Sequence, residues 1–222
     1  MAFSFKLAEL FTQLTVKDKG FRSGLAGAKK SLGGFTRGLR STMGMLGVGV
    51  GGAGLLFALK SAASAAITFQ EGMARVATML RSNVGPETER FAGVIRKMSV
   101  RFGQATENLQ EGLFDILSSS ISTAEATGVL RAATRAAIGG FTDANVVLTG
   151  LLSVIKGYGV EAKDAADITD RMFVAFRAGR FTIAQLSSGI GRVAATAKTA
   201  GLSLDEMFGA IASLTRGGLT LK

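Results

Sequence analysis

No cysteine, histidine or tryptophan occurs among the 222 residues, and proline occurs once, at Pro86. Each absence excludes something. Without Cys there is no disulfide framework and no thiol chemistry. Without His and Cys the two commonest transition-metal ligands are missing, and so is the commonest general base at neutral pH. The serine run Ser118–Ser120 has neither a histidine nor a lysine close in sequence to serve as a base, and reads as a helix end running into a turn. The chain is therefore expected to be non-enzymatic and to carry no cofactor and no metal. A single proline leaves long stretches free to be helical, because proline is the strongest helix breaker.

Cationic and apolar residues are abundant instead. The net charge is +10, and hydrophobic residues make up 47 % of the chain, enough to bury a core. The positive charge is concentrated: residues 1–42 hold eight Lys/Arg against two Asp/Glu, whereas residues 61–222 hold seventeen against fourteen. A short strand is allowed by the composition of Leu7–Val16. Phe21, Leu25, Ala28, Leu32, Phe35 and Leu39 then recur at alternating spacings of four and three, a heptad-like stripe suited to self-association. Arg22, Lys29, Lys30 and Arg37 lie between its members and Arg40 follows it, giving a basic amphipathic arm over 1–42. Such an arm attracts an acidic partner, a nucleic acid or an anionic surface.

Ser41 to Leu59 carries no charge. Met43, Leu46, Val48, Val50, Leu55, Leu56, Phe57 and Leu59 make it a candidate membrane segment at the lower limit of spanning length; the competing reading is a Gly-rich helix packed in a protein interior. Gly47-Val-Gly49-Val-Gly-Gly52 matches the bare dinucleotide fingerprint, but no strand precedes it and no Lys-Ser/Thr follows, so helix is the better reading. The segment 43–85 is assigned as a Gly/Ala-rich apolar helical stretch.

Residues 86–222 read as a compact helical domain of short capped helices. Pro86 and Glu87 open one helix, with Phe91, Val94, Ile95, Met98 and Phe102 facing inward and Gly103 stopping it. Thr106 is assigned as the cap of a second, with Leu109, Leu113, Ile116 and Leu117 inward. Ser122–Glu125 reads as a capping box for a third that ends at Gly139-Gly140. Thr142 or Asp143 starts a fourth, with Val147, Leu148, Leu151 and Ile155 inward and Gly157 at its end. Val160–Ala178 is a fifth, with Ala165, Ile168, Met172 and Phe176 inward. Two further boxes, Thr182–Gln185 and Ser203–Glu206, precede helices that present Leu186, Ile190, Val193 and Ala197, and then Met207, Ile211 and Leu214. The carboxylates Glu161, Asp164, Asp167 and Asp170 form a solvated acidic face rather than a calcium site, since no loop bends them around an ion. The fold class is all-α.

Several stretches, taken in order, resemble the N-terminal region of phage tail tape-measure proteins. They are the opening Leu7–Leu39, then Phe69-Gln-Glu-Gly-Met-Ala-Arg-Val76, Arg101-Phe-Gly-Gln-Ala-Thr106, Ala132–Ala137, Gly157–Ala162 with Asp167–Asp170, and finally Ala200–Glu206 with Ala210–Gly217. The resemblance implies a virion component in the lumen of the tail tube that helps set tail length and precedes DNA at ejection. Its partners would be the tail tube protein, tail assembly chaperones and further copies of itself, with the host membrane met at ejection and DNA contacted at most non-specifically. The family's core continues past Gly218 into a long helical rod, so the resemblance implies either an N-terminal piece of a longer protein or a chain whose length-setting role is lost. A membrane-active, pore-forming module is the rival reading, based on the basic arm and residues 43–59.

Overall fold

The computed structural model describes residues 52–220, with side chains described from Lys60 onward. All the regular structure among these residues is helical, in eight α-helices and one 3-10 turn. The expected stripe and basic arm, and Met43, Leu46, Val48 and Val50, lie outside the described residues. Leu55, Leu56, Phe57 and Leu59 fall in the backbone of the first helix, α1 (Gly52–Ala77). The chain divides at Ser61 into two units. Of the first, only the start of α1 is described. In the second, Ala62–Thr68 remain exposed on every side of that helix, and its last turns, through Met73 and Val76, enter the core.

The remaining helices are α2 (Val84–Phe102), α3 (Thr106–Ser118), α4 (Thr123–Gly139), α5 (Ala144–Tyr158), α6 (Ala165–Ala178), α7 (Ile183–Thr199) and α8 (Leu204–Arg216). The 3-10 turn, Ala162–Asp164, leads into α6. Helix α4 is the hub, packing against α2, α3, α5 and α6. It can do so because its inward positions are mostly small: Ala126, Ala132, Ala133, Ala136 and Ala137 are all buried and let neighbouring helices approach from several sides. Helices α5 and α7 form the most extensive pair.

That pair runs parallel along a seam of small residues. A Cβ on Gly150 would lie 2.7 Å from the Cα of Ser187, and one on Gly157 would lie 3.0 Å from the Cβ of Ala194. A Cβ on Gly191 would lie 3.0 Å from the hydroxyl oxygen of Ser153. Backbone meets backbone along this line, which only Gly, Ala and Ser permit. Gly157, expected to stop α5, is therefore inside the helix, and the stop falls to Gly159 in the left-handed conformation.

The cap signals are realised at most termini. Thr182 and Ser203 accept from the backbone N–H of Gln185 and Glu206, and the Gln and Glu side chains accept in return from the cap residues' backbone N–H groups. The Ser203 backbone N–H and then its hydroxyl, both donating to the Glu206 carboxylate, lower that group's pKa from its ordinary value. At Ser122 the box is altered. Its hydroxyl accepts from the Glu125 N–H and donates to the Glu125 carboxylate at 2.6 Å, so the carboxylate reaches the side chain rather than the backbone. Asp143, not Thr142, caps α5. Thr106 is not a cap: it is the first helical residue, behind Ala105. Most expected inward residues are buried or partly so, with two corrections. Val193 is 41 % and Leu214 is 54 % exposed. The helix turns 100° per residue rather than following a heptad, so Ala194 and Thr215 occupy those inward positions instead.

Candidate assembly surface

Among the described residues no group of His, Cys, Asp or Glu could hold a metal ion, and no helix is long and apolar enough to cross a membrane. The expected acidic face is found: Glu161, Asp164, Asp167 and Asp170 are all exposed. Glu161 pairs with Lys163, while Asp167 pairs with Arg171. Arg171 also reaches Asp205 at 2.6 Å, clipping α8 onto α6.

Two features on the second unit stand apart from such ordinary surface pairing. The first is the turn between α4 and α5. Thr142 N–H donates to the Ala137 carbonyl at 3.0 Å and Phe141 N–H to that of Ile138 at 3.4 Å. This is the Schellman closure, whose penultimate residue adopts the left-handed conformation and is usually glycine. At Gly201 and Gly218 it is glycine; in α3 it is Ser120, with φ +64°, and in α4 it is Phe141, with φ +51°. Gly139 and Gly140 come two positions and one position too early to fill the place. Gly140 is required where it is, since a Cβ there would lie 2.7 Å from the Cβ of Ile183. Phe141 thus holds a strained backbone while the residue is 98 % exposed. Sequence reasoning did not single it out; an aromatic lodged between a Gly-Gly stop and an Asp cap is the signal that marks it.

The second feature is a cleft of about 180 Å³ between α1 and α3, lined by Gly72, Arg75, Glu107, Gln110, Glu111 and Phe114. Gly72 leaves room for the Gln110 side chain, with which a Cβ there would collide. Gln110 is buried and donates from Nε2 to the Phe69 carbonyl at 2.7 Å, which joins the two helices. The Arg75 guanidinium lies over the half-buried Phe114 ring, 5.5 Å from its centroid. The cleft adjoins the first turn of α5, where Asn145 donates from Nδ2 to Glu111 at 3.2 Å.

Next to the cleft, burial and the neighbouring Glu111 raise the Asp115 pKa, against a smaller opposing effect from Arg75. A carboxyl whose folded pKa exceeds its unfolded one stabilises the fold below the unfolded value, and loses that contribution as pH rises through the folded one. Asp115→Asn is therefore expected to raise the melting temperature at pH 7, with the difference from the parent closing as pH falls below the ordinary carboxylate range. Thermal melts of both proteins from pH 3.5 to 7.5 read this directly; a lower melting temperature at pH 7 would mean that the Arg75 interaction outweighs burial.

A family model of phage-related minor tail proteins matches residues 93–221. No curated protein and no solved structure matches the chain. The matched region takes in α3 to α8 and more than half of α2, including both the Phe141 turn and the α3 wall of the cleft. With more than half of its residues inside that match, the chain belongs to the phage-related minor tail protein family.

Proposed function

We propose that the chain is the N-terminal part of a tape-measure protein, a structural component carried in the lumen of the tail tube that helps set tail length and leaves ahead of the DNA. The observation that carries this reading is the family match over a wholly helical domain, preceded by a helix exposed on every side from Lys60 to Thr68. Supporting it is the ordered resemblance along the chain, from Leu7 to Gly217. The partners that follow are the tail tube protein, the assembly chaperones that would hold the chain before the tube closes, and further copies of the chain. In this reading the stripe Phe21–Leu39 associates with its own copies, and the cations Arg22, Lys29, Lys30, Arg37 and Arg40 face an acidic wall.

The cysteine-free sequence makes the test clean. A single cysteine introduced at exposed Ser61 or Ala66, coupled to a photo-cross-linker and assembled into tails, is expected to give adducts with the tube protein. Adducts confined to proteins on the tail exterior would overturn the proposal.

A further inference from the structure

Helix α1 is attached to the second unit differently from every other helix. Among the described residues, α2 to α8 each pack closely along the backbone of at least one neighbour, and α1 along none. Its hold is made by side chains on one face. Phe69, Met73, Val76 and Leu80 recur at spacings of four, three and four; Phe69 is half-buried and the other three are buried. The buried Gln110 of α3 adds its hydrogen bond to the Phe69 carbonyl, and Arg96 of α2 lies over the Phe69 ring, 5.3 Å from its centroid. By comparison, eight residues of α4 and nine of α5 are buried. The link that follows α1 has no hold at all. Residues 81–86 are all exposed, and the backbone N–H groups of Arg81, Ser82 and Asn83 donate to no acceptor among the described residues. Asn83 enters α2 in the left-handed conformation with no side-chain cap bond. Pro86 keeps the two helices from fusing, since it has no N–H to give the Ser82 carbonyl and its ring would clash there.

We infer that residues 62–80 are a strap that undocks from α2 and α3 as one piece, turning about residues 81–85, while α2 to α8 stay folded. Elements that open below the free energy of global unfolding are those with few buried apolar contacts and much exposed backbone, and α1 has both properties. Its three buried anchors and its one buried hydrogen bond are lost together, because all of them sit on a single rigid helix face. Undocking uncovers the strip from Phe69 to Leu80 and frees Gln110 on α3, so the domain presents an apolar surface that the docked form conceals. The hub helix α4 and the α5–α7 seam are not disturbed, since neither is packed against the strap's backbone.

Native-state hydrogen exchange on the full chain, read by mass spectrometry, tests the strap. A helix released from its packing is marginal in water, so its amides exchange on undocking. Peptides covering residues 69–77 are expected to exchange at least tenfold faster than those of α4 and α5. Their rate is expected to change little with guanidinium below the unfolding transition, because undocking exposes far less surface than global unfolding. Leu151→Ala, in the fully buried part of α5, weakens the docked and undocked forms alike relative to the unfolded chain. It is expected to speed exchange in α4 and α5 at least tenfold and to leave residues 69–77 unchanged. Val76→Ala removes an anchor of the strap itself and is expected to speed exchange of residues 69–77 at least tenfold. Exchange of residues 69–77 that matches α4 and α5 in the parent, or that rises with theirs in Leu151→Ala, would overturn the inference, because α1 would then open only with the whole domain. So would a Val76→Ala chain whose residues 69–77 exchange like the parent's.

Discussion

Gly150→Ala is expected to lower the melting temperature, whereas the same substitution at Gly93 or Gly209 is expected to raise it. All three glycines lie inside helices, in α5, α2 and α8, so all three gain up to about 1 kcal/mol in helix propensity from the added methyl. What differs is the space. At Gly93 and Gly209 nothing lies within 4 Å of the new Cβ. At Gly150 the Cβ would sit 2.7 Å from the Ser187 Cα and 2.8 Å from its carbonyl oxygen. Both are backbone atoms, which cannot swing aside as the tip of a side chain can. Helices α5 and α7 must therefore separate along a seam that also contains Gly157 against Ala194. Overpacking of this kind destabilises by about 1–3 kcal/mol, more than propensity returns. For a domain of this size each kcal/mol moves the melting temperature by roughly 2–4 °C, so circular dichroism melts of the three variants separate the signs. Gly150→Val adds a branched side chain at the same point and is expected to be worse than Gly150→Ala.

Phe91→Ala is expected to cost about 3–5 kcal/mol, roughly 10 °C or more in melting temperature. Phe91 is fully buried, the one aromatic among the largest wholly buried side chains of the described residues. It lies on α2, which is held to the hub helix α4 and to α3. Truncation leaves a ring-sized void that the small side chains of α4 cannot fill. Leu214→Ala is the companion measurement. The apolar spacing of α8 puts Leu214 with the core, but it is 54 % exposed, so its truncation is expected to change stability by less than about 0.5 kcal/mol. If Leu214→Ala cost as much as Phe91→Ala, the orientation of α8 would be wrong.

These contrasts show which parts of the fold are legible in a single sequence. Helix existence and most boundaries are local matters, set by Ser203, Thr182 and Asp143 bonding to N–H groups two or three residues away; the first two can be read directly, and the third only as a choice between Thr142 and Asp143. Gly103, which closes α2 in the left-handed conformation, is equally local. Gly157 and Gly150 are not, because the reason for each glycine is a backbone in α7 more than thirty residues later. Seen from the sequence alone, a glycine that stops a helix and one that admits a neighbouring helix are identical. The expected inward faces fail at Val193 and Leu214 for another reason: a stripe marks which residues are apolar, and the partner helices decide which edge of the stripe is covered. The candidate surface was the least legible part. Gly140 lies against Ile183 and Gly72 against Gln110, approaches between segments distant in the chain, and neither pairing can be read from spacing.

The central claim, that this chain is carried inside the tail and leaves with the genome, is tested most directly by protease accessibility before and after ejection. Purified intact tails would be treated with protease, and peptides from residues 86–218 quantified by mass spectrometry. The same peptides would be quantified in tails that have released their DNA. The expected result is full protection in the intact tail and loss of the chain from the emptied one. A chain that is cleaved on intact tails, or that stays in undiminished amount after the DNA has gone, would contradict the account.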